Sequence, residues 1–77
     1  MKQREMTDKE YLAGLAQKIK ELRKERGMTQ SSLGEKIGTN HTHIVRLEKG
    51  IQDCRIISLR AIAKALEVDI SELVSVP

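Results

Sequence analysis

Apolar residues recur along this chain at steps of three and four, the spacing that places side chains on one face of an α-helix. The first such stripe contains Leu12, Leu15, Ile19 and Leu22. Thr7 followed by Glu10 forms a capping-box pattern, in which each side chain satisfies a free amide at a helix start. Gly27, after a basic stretch, is a good helix stop. The pattern predicts a first helix over residues 8–26.

Two shorter helices are predicted next, with a tight turn between them. Thr29 and Asn40 are suited to cap their starts, and Gly38 and Gly50 to end them. The residues predicted to point inward are Leu33, Ile37, Ile44 and Leu47. Only residues 38–40 separate the two helices, so the sequence predicts a helix-turn-helix unit.

Two further helical segments complete the pattern. The inward stripe predicted for the fourth helix is Ile56, Leu59, Ile62, Ala63 and Leu66. Asp69 and Glu72 resemble a capping box before a last short helix. No alternating period requires a strand, so we expect an all-α fold, a compact five-helix domain with a helix-turn-helix at helices 2 and 3. The expected organisation is a flexible arm at residues 1–7, the domain at 8–75 and a frayed end at 76–77.

Length and composition limit the possible functions. With 77 residues the chain has room for one domain, and Tyr11 is its only aromatic residue, so the core must be aliphatic. Cys54 is the single cysteine and cannot form an internal disulfide. The charged amino terminus resembles neither a signal peptide nor a membrane span. We therefore expect a cytoplasmic protein.

The charge is basic overall and unevenly distributed. The formal net charge is +3 and the isoelectric point is near 9.2. Residues 1–26 carry eight basic and five acidic side chains, residues 27–55 four and three, and residues 56–77 two and three, giving +3, +1 and −1. This gradient favours contact of a polyanion with the first two segments.

The third predicted helix has an unusual outward face. When Ile44 and Leu47 point inward, the helical period turns another set of side chains outward. That set is His41, Thr42, Val45, Arg46 and Lys49. Arginine and threonine tips of this kind suit base edges in the major groove, where arginine grips guanine and threonine meets thymine. For an isolated helix, a simple solvated face would be the better interpretation.

The surrounding sequence favours the DNA-binding interpretation. The stretch "MTQSSLGEKIGTNHTHIVRLEKG" resembles the helix-turn-helix of the phage repressor and Cro family, also called the Xre family. Similarity extends outward through "KIKELRKERGMTQ" and "LRAIAKALEVDISELV", about three quarters of the chain. The resemblance implies a lambda-repressor-like fold and a transcription regulator that binds double-stranded DNA, with no cofactor.

The resemblance also implies roles for individual residues. Residues at the positions that usually read bases are His41, Thr42 and Arg46. Expected phosphate or supporting contacts come from Gln30, Thr29, His43, Lys49 and Arg55. The family glutamine at Gln30 bonds phosphate and braces the recognition helix, whereas His43 departs from the small residue usual at its position. Asp53, near Arg55, is expected to cap the fourth helix.

A structural ion pair is also expected. Arg23 and Glu48 match a pair that is buried in several phage repressors. The alternative is two solvated charges, which would contribute about 0–1 kcal/mol. We expect the buried pair, with a structural role.

Catalysis and metal binding are not expected. His41 and His43 stand two residues apart, so on a helix they point about 200° away from each other and chelate poorly. Cys54 has no evident paired base, and the chain is too short for a deep substrate cleft.

Two alternatives within the same fold stay open. One is an antitoxin of the Xre type, which binds a toxin protein and also represses its own operon, and the other is a restriction-modification controller. In either case, self-association is expected, because one recognition helix contacts few base pairs. A small self-complementary patch for a homodimer is predicted from Ile57, Ala61, Ala65, Ile70 and Val74.

Overall fold

The computed structural model describes residues 7–50 and 55–75, and these form five α-helices without a strand. The helices are α1 (Asp8–Glu25), α2 (Gln30–Lys36), α3 (His41–Glu48), α4 (Ile56–Ala65) and α5 (Ile70–Val74). The predicted all-α fold is confirmed. No helix in this part of the chain has the length and apolarity needed to cross a membrane. The predictions for residues 1–6, Asp53, Cys54 and 76–77 fall outside the described residues.

Side-chain caps start the first three helices as the sequence predicts. Thr7 and Glu10 form the full capping box, with the Glu10 amide donating to Thr7 Oγ1 at 3.1 Å. Thr29 Oγ1 accepts from the Ser32 amide at 3.0 Å, and Ser32 Oγ accepts from the Thr29 amide in return. Asn40 Oδ1 caps α3. Each bond satisfies a donor that the helix itself leaves unpaired.

The turn between α2 and α3 depends on two glycines. Gly38 has a φ of 76°, a left-handed conformation that side chains other than glycine rarely adopt. Gly34 lies inside α2, where an added Cβ would be 2.9 Å from the carbonyl oxygen of Asn40. The absence of a side chain at Gly34 therefore lets the start of α3 approach the α2 backbone closely.

The core is aliphatic and draws on all five helices. Its fully buried large side chains, each below 2% exposure, are Ile19, Leu33, Ile44, Ile62, Leu66 and Leu73. α3 packs against both α2 and α1, while α5 packs against α4 and α1. α3 is thus held on two sides by the rest of the domain.

Two predictions about α4 and α5 are wrong in detail. Ile56 was expected in the inward stripe but is 64% exposed, because it is the first residue of α4 and extends beyond the cover of the neighbouring helices. Asp69 occupies the N-cap of α5, but its side chain makes no capping bond. Its backbone carbonyl instead accepts from the amides of Glu72 and Leu73. The predicted capping box is therefore absent there.

Candidate nucleic-acid interface

α3 is oriented by two buried residues on its inner side. Ile44 is fully buried and Leu47 is 4% exposed, both within the core. The opposite side carries exposed polar and basic side chains, namely His41, Thr42, Arg46 and Lys49. Val45, which was predicted to point outward, is half-buried. α3 and the residue after it therefore expose four hydrogen-bonding side chains, while the apolar residues Ile44 and Leu47 stay in the core.

A shallow polar depression of about 420 Å³ lies at the amino-terminal end of α3. Its lining residues are Thr39, Asn40, Thr42, His43 and Arg46. Asn40 Oδ1 accepts from the His43 amide at 3.0 Å, which fixes the helix start beneath the depression. The lining contains hydrogen-bond donors and acceptors but no acidic side chain. This composition suits a negatively charged partner that also offers hydrogen-bonding groups.

An ion pair fastens the far end of α3 to α1. Arg23 Nε donates to Glu48 Oε2 at 2.6 Å, and Arg23 Nη2 donates to Glu48 Oε1 at 3.0 Å. The side chains are only 9% and 3% exposed. Arg23 Nη1 also donates to the Met28 carbonyl at 2.8 Å. The pair expected between these two residues is thus bidentate and enclosed, unlike a solvated surface pair.

Gln30 connects this ion pair to the start of α3. Its Nε2 lies 3.2 Å from Glu48 Oε1, and its Oε1 lies 3.1 Å from His41 Nε2. The sequence resemblance implied that Gln30 braces α3, but no spacing in the sequence identified His41 and Glu48 as its partners. Three side chains from α2 and α3 are thereby joined to Arg23 of α1.

The other residues assigned to phosphate contacts lie on the surface. Lys49 follows α3 and is exposed, and Arg55 is exposed at the N-cap position of α4 without a side-chain capping bond. Thr29 is also exposed, but its hydroxyl is used to cap α2. Lys49 and Arg55 are therefore the two exposed cations of this set, and the Thr29 hydroxyl already accepts the bond that caps α2.

The residues assigned to a dimer patch lie on α4 and α5. Ile57 is 70% exposed, whereas Ala61, Ala65, Ile70 and Val74 are half-buried. Ile56, which the sequence placed in the core, adds a second exposed apolar side chain next to Ile57. Ala61 and Ala65 also line a depression of about 400 Å³ with Ile37, between Lys36 and Lys64.

Within residues 7–50 and 55–75, no three histidine, cysteine, aspartate or glutamate side chains are grouped closely enough to hold a metal ion. The His41 ring contacts Gln30, and the His43 backbone amide donates to Asn40.

Comparison with known proteins identifies the fold family. A family model described as helix-turn-helix matches residues 19–73 of the chain. The chain belongs to this helix-turn-helix family. The resemblance to phage repressor and Cro proteins is thereby confirmed. A helix-turn-helix domain of this type is a DNA-binding regulator, so double-stranded DNA is its expected macromolecular partner.

Individual helix-turn-helix proteins extend the similarity. An uncharacterized HTH-type transcriptional regulator from Methanothermobacter thermautotrophicus is 44% identical over 48 residues, covering 62% of this chain and 70% of that protein. The restriction-modification controller protein C.AhdI from Aeromonas hydrophila has a TM-score of 0.78 and 26% identity, covering 80% of this chain and 94% of its own. Wild-type controller protein C.Esp1396I has a TM-score of 0.75 and 35% identity, covering 82% of both chains.

Proposed function

We propose that this protein is a sequence-specific transcription regulator, a homodimeric repressor that reads a palindromic operator by inserting α3 into the major groove. The observation that carries the proposal is the construction of α3, which exposes hydrogen-bonding side chains while its inner side is buried and its far end is pinned by the ion pair. A helix fixed in this way presents its side chains to DNA with little loss of conformational freedom on binding.

Base reading is assigned to three exposed side chains of α3. Arg46 suits a guanine, whose O6 and N7 accept two parallel hydrogen bonds from a guanidinium group. Thr42 offers a hydroxyl to a base edge and a methyl group to thymine. His41 lies at the start of the helix, where recognition helices contact base edges. Thr42 and Arg46 also line the same polar depression.

Phosphate contacts are assigned to residues around these base readers. Lys49 and Arg55 are exposed cations on either side of residues 50–54. The remaining supporting residues are Gln30, His43 and Thr29. Contacts of this kind set the register of the protein on DNA and respond to salt, but they do not distinguish base sequences.

Dimer formation is assigned to the patch on α4 and α5. A single helix reads only a few base pairs, so specific affinity requires two copies bound at half-sites about 34 Å apart. Ile57 is exposed at the start of a row that continues through Ala61 and Ala65. A two-fold axis through this row would bring the same apolar residues of two copies together.

Control of a restriction-modification operon is the more specific form of this proposal. Two controller proteins superimpose on at least 80% of this chain, and one of them is matched over 94% of its own length. The alternative of an antitoxin-type module, with a toxin as partner, would require a second protein-binding surface.

The test is binding of the protein to the DNA upstream of its own gene and to a scrambled duplex, measured by fluorescence anisotropy across a salt series. We expect a preference of about a thousandfold or more for the operator and a steep salt dependence. Arg46→Ala should cost about 1–3 kcal/mol on the operator and relax one base pair, whereas Lys49→Ala should weaken both duplexes equally. Equal losses on both duplexes for Arg46→Ala would remove it from base reading. Weak binding to both duplexes would direct the search to a protein partner.

A further inference from the structure

Four side chains form one continuous hydrogen-bonded chain from the core to the exposed face of α3. Arg23 donates to Glu48, Glu48 is bonded to Gln30, and Gln30 is bonded to His41. The chain begins at a side chain that is 9% exposed and ends at a histidine on the surface. The direction of each bond can be derived from the first one, because each group has a fixed set of donors and acceptors.

The buried end of the chain determines the orientation of Gln30. An arginine only donates, so Arg23 requires Glu48 to act as acceptor. Glu48 Oε1 accepts from Arg23 Nη2 at 3.0 Å and lies 3.2 Å from one end of the Gln30 amide. If that end were the amide oxygen, two acceptors would face each other in an enclosed site. Gln30 therefore turns its NH₂ group toward Glu48.

The orientation of Gln30 in turn determines the tautomer of His41. With its NH₂ group used, Gln30 has only its carbonyl oxygen for His41, 3.1 Å from the ring Nε2. A carbonyl oxygen accepts, so Nε2 must carry the proton. In the neutral imidazole, Nδ1 is then an acceptor. We propose that the buried Arg23–Glu48 pair, acting through Gln30, fixes the tautomer of His41. His41 Nδ1 then accepts a hydrogen bond from bases that present an amino group.

An acceptor at His41 Nδ1 distinguishes the bases in the major groove. Adenine N6 and cytosine N4 donate there, whereas guanine O6 and N7 and thymine O4 only accept. An acceptor at His41 Nδ1 therefore favours adenine or cytosine and disfavours guanine and thymine. Arg46, which only donates, has the opposite preference. This assignment rests on the proposed function, and it gives two exposed side chains of α3 opposite hydrogen-bonding polarity.

The tautomer is tested first on the free protein by ¹⁵N NMR of the histidine rings at about pH 8, where an imidazole is neutral. The chain has two histidines, so His43→Asn assigns the His41 signals. We expect a protonated Nε2, an unprotonated Nδ1 and an observable Nε2–H proton. Gln30→Leu, which removes the acceptor, should abolish the Nε2–H signal by exposing the proton to exchange, while Ser31→Ala on the exposed side of α2 should leave it unchanged.

The base preference is tested by selecting bound sequences from a pool of randomised duplexes. The wild-type protein should favour adenine or cytosine over guanine or thymine at one position by about 3- to 10-fold, the value of a single hydrogen bond. His41→Arg, which can only donate, should change that position to guanine. Gln30→Leu should relax the same position only. If Gln30 also bonds a phosphate, its replacement weakens binding to all sequences alike, so the measured quantity is the preference rather than the affinity.

Different outcomes overturn different parts of the proposal. A protonated Nδ1 with a bare Nε2 would refute the tautomer, and so would an Nε2–H signal unaffected by Gln30→Leu. A wild-type preference for guanine or thymine at the position that changes in His41→Arg would refute the base assignment, as would the absence of any position that changes. If the wild-type protein enriched no sequence at all, the proposed function would fail together with the base assignment. The NMR result on free protein distinguishes that failure from a wrong tautomer.

Discussion

The faces formed by α3 and by the start of α4 differ in how their exposed residues are attached to the domain. On α3, the exposed His41 is linked through Gln30 to a buried ion pair, and the helix start is capped by Asn40. At the start of α4, Ile56 and Ile57 are exposed, and the N-cap residue Arg55 makes no side-chain capping bond. The first face is fixed by contacts within one chain, whereas the second exposes two neighbouring apolar side chains. The difference indicates that the side-chain geometry of α3 is set by the fold, and the start of α4 is the surface to which we assign the proposed dimer contact.

The largest expected effect is at the ion pair. Glu48→Ala would leave the Arg23 guanidinium in a site where it is 9% exposed, with its carboxylate partner gone. We expect the free energy of unfolding to fall by about 3–5 kcal/mol, measured by urea denaturation.

The control for this substitution replaces both charges. Arg23→Met combined with Glu48→Leu removes the stranded charge and should recover part of the stability. If Glu48→Ala alone cost less than about 1 kcal/mol, the pair would contribute no more than solvated surface charges do, and the contrast between the two faces would lose its main support.

The next effect is expected at the approach of α2 to α3. Gly34→Ala would place a methyl group 2.9 Å from Asn40 O and 3.0 Å from Asn40 C, both backbone atoms that cannot rotate away. Overpacking of this kind costs about 1–3 kcal/mol, and it should move the start of α3 away from α2. Thermal unfolding measures the loss, with Ser31→Ala on the same helix as the matched control. A stable Gly34→Ala protein with unchanged DNA binding would show that this close approach is unimportant.

A smaller effect is expected from the α3 cap. Asn40→Ala removes the acceptor of the His43 amide and should lower the free energy of unfolding by about 1 kcal/mol. Asn40→Ser retains a capping oxygen and should lose much less. The two variants are compared by urea denaturation, and equal losses would mean that the capping bond itself contributes little.

The smallest effect on folding is expected at Ile57. Because its side chain is 70% exposed, Ile57→Ser should change the free energy of unfolding of the monomer by no more than about 0.5 kcal/mol. In the proposed dimer, however, the substitution occurs twice and should raise the dissociation constant about tenfold or more, measured by analytical ultracentrifugation. Gln17→Ser, exposed on α1 and outside the assigned patch, is the control. An unchanged dissociation constant for Ile57→Ser would exclude this residue from the interface.

The sequence predicted the helices well because their signals are local. Capping by Thr7, Thr29 and Asn40 depends on residues within three positions, and the structure contains all three caps. Ile56 was misplaced because periodicity identifies a helix face but not where neighbouring helices stop covering it. The capping box predicted at Asp69 is wrong because a residue suited to the N-cap position need not form a side-chain bond to a helix amide.

The site was predictable in part. The outward direction of His41, Thr42 and Arg46 followed from the helical period, and the partnership of Arg23 with Glu48 followed from family resemblance. The bonds of Gln30 to His41 and Glu48 did not, because they join positions 11 and 18 residues away whose approach depends on how α2 packs on α3. Only a three-dimensional arrangement reveals that a surface histidine is connected to a buried charge.

The hydroxyl of Tyr11 on α1 donates to the backbone carbonyl of Val74, the last residue of α5. Tyr11 is also the only aromatic residue in a chain without tryptophan or phenylalanine. The ultraviolet emission of the whole protein therefore comes from one ring at the junction of its first and last helices. Detachment of α5 would change the surroundings of that ring, so tyrosine fluorescence offers an unlabelled, time-resolved signal for the docking of the carboxyl-terminal helix.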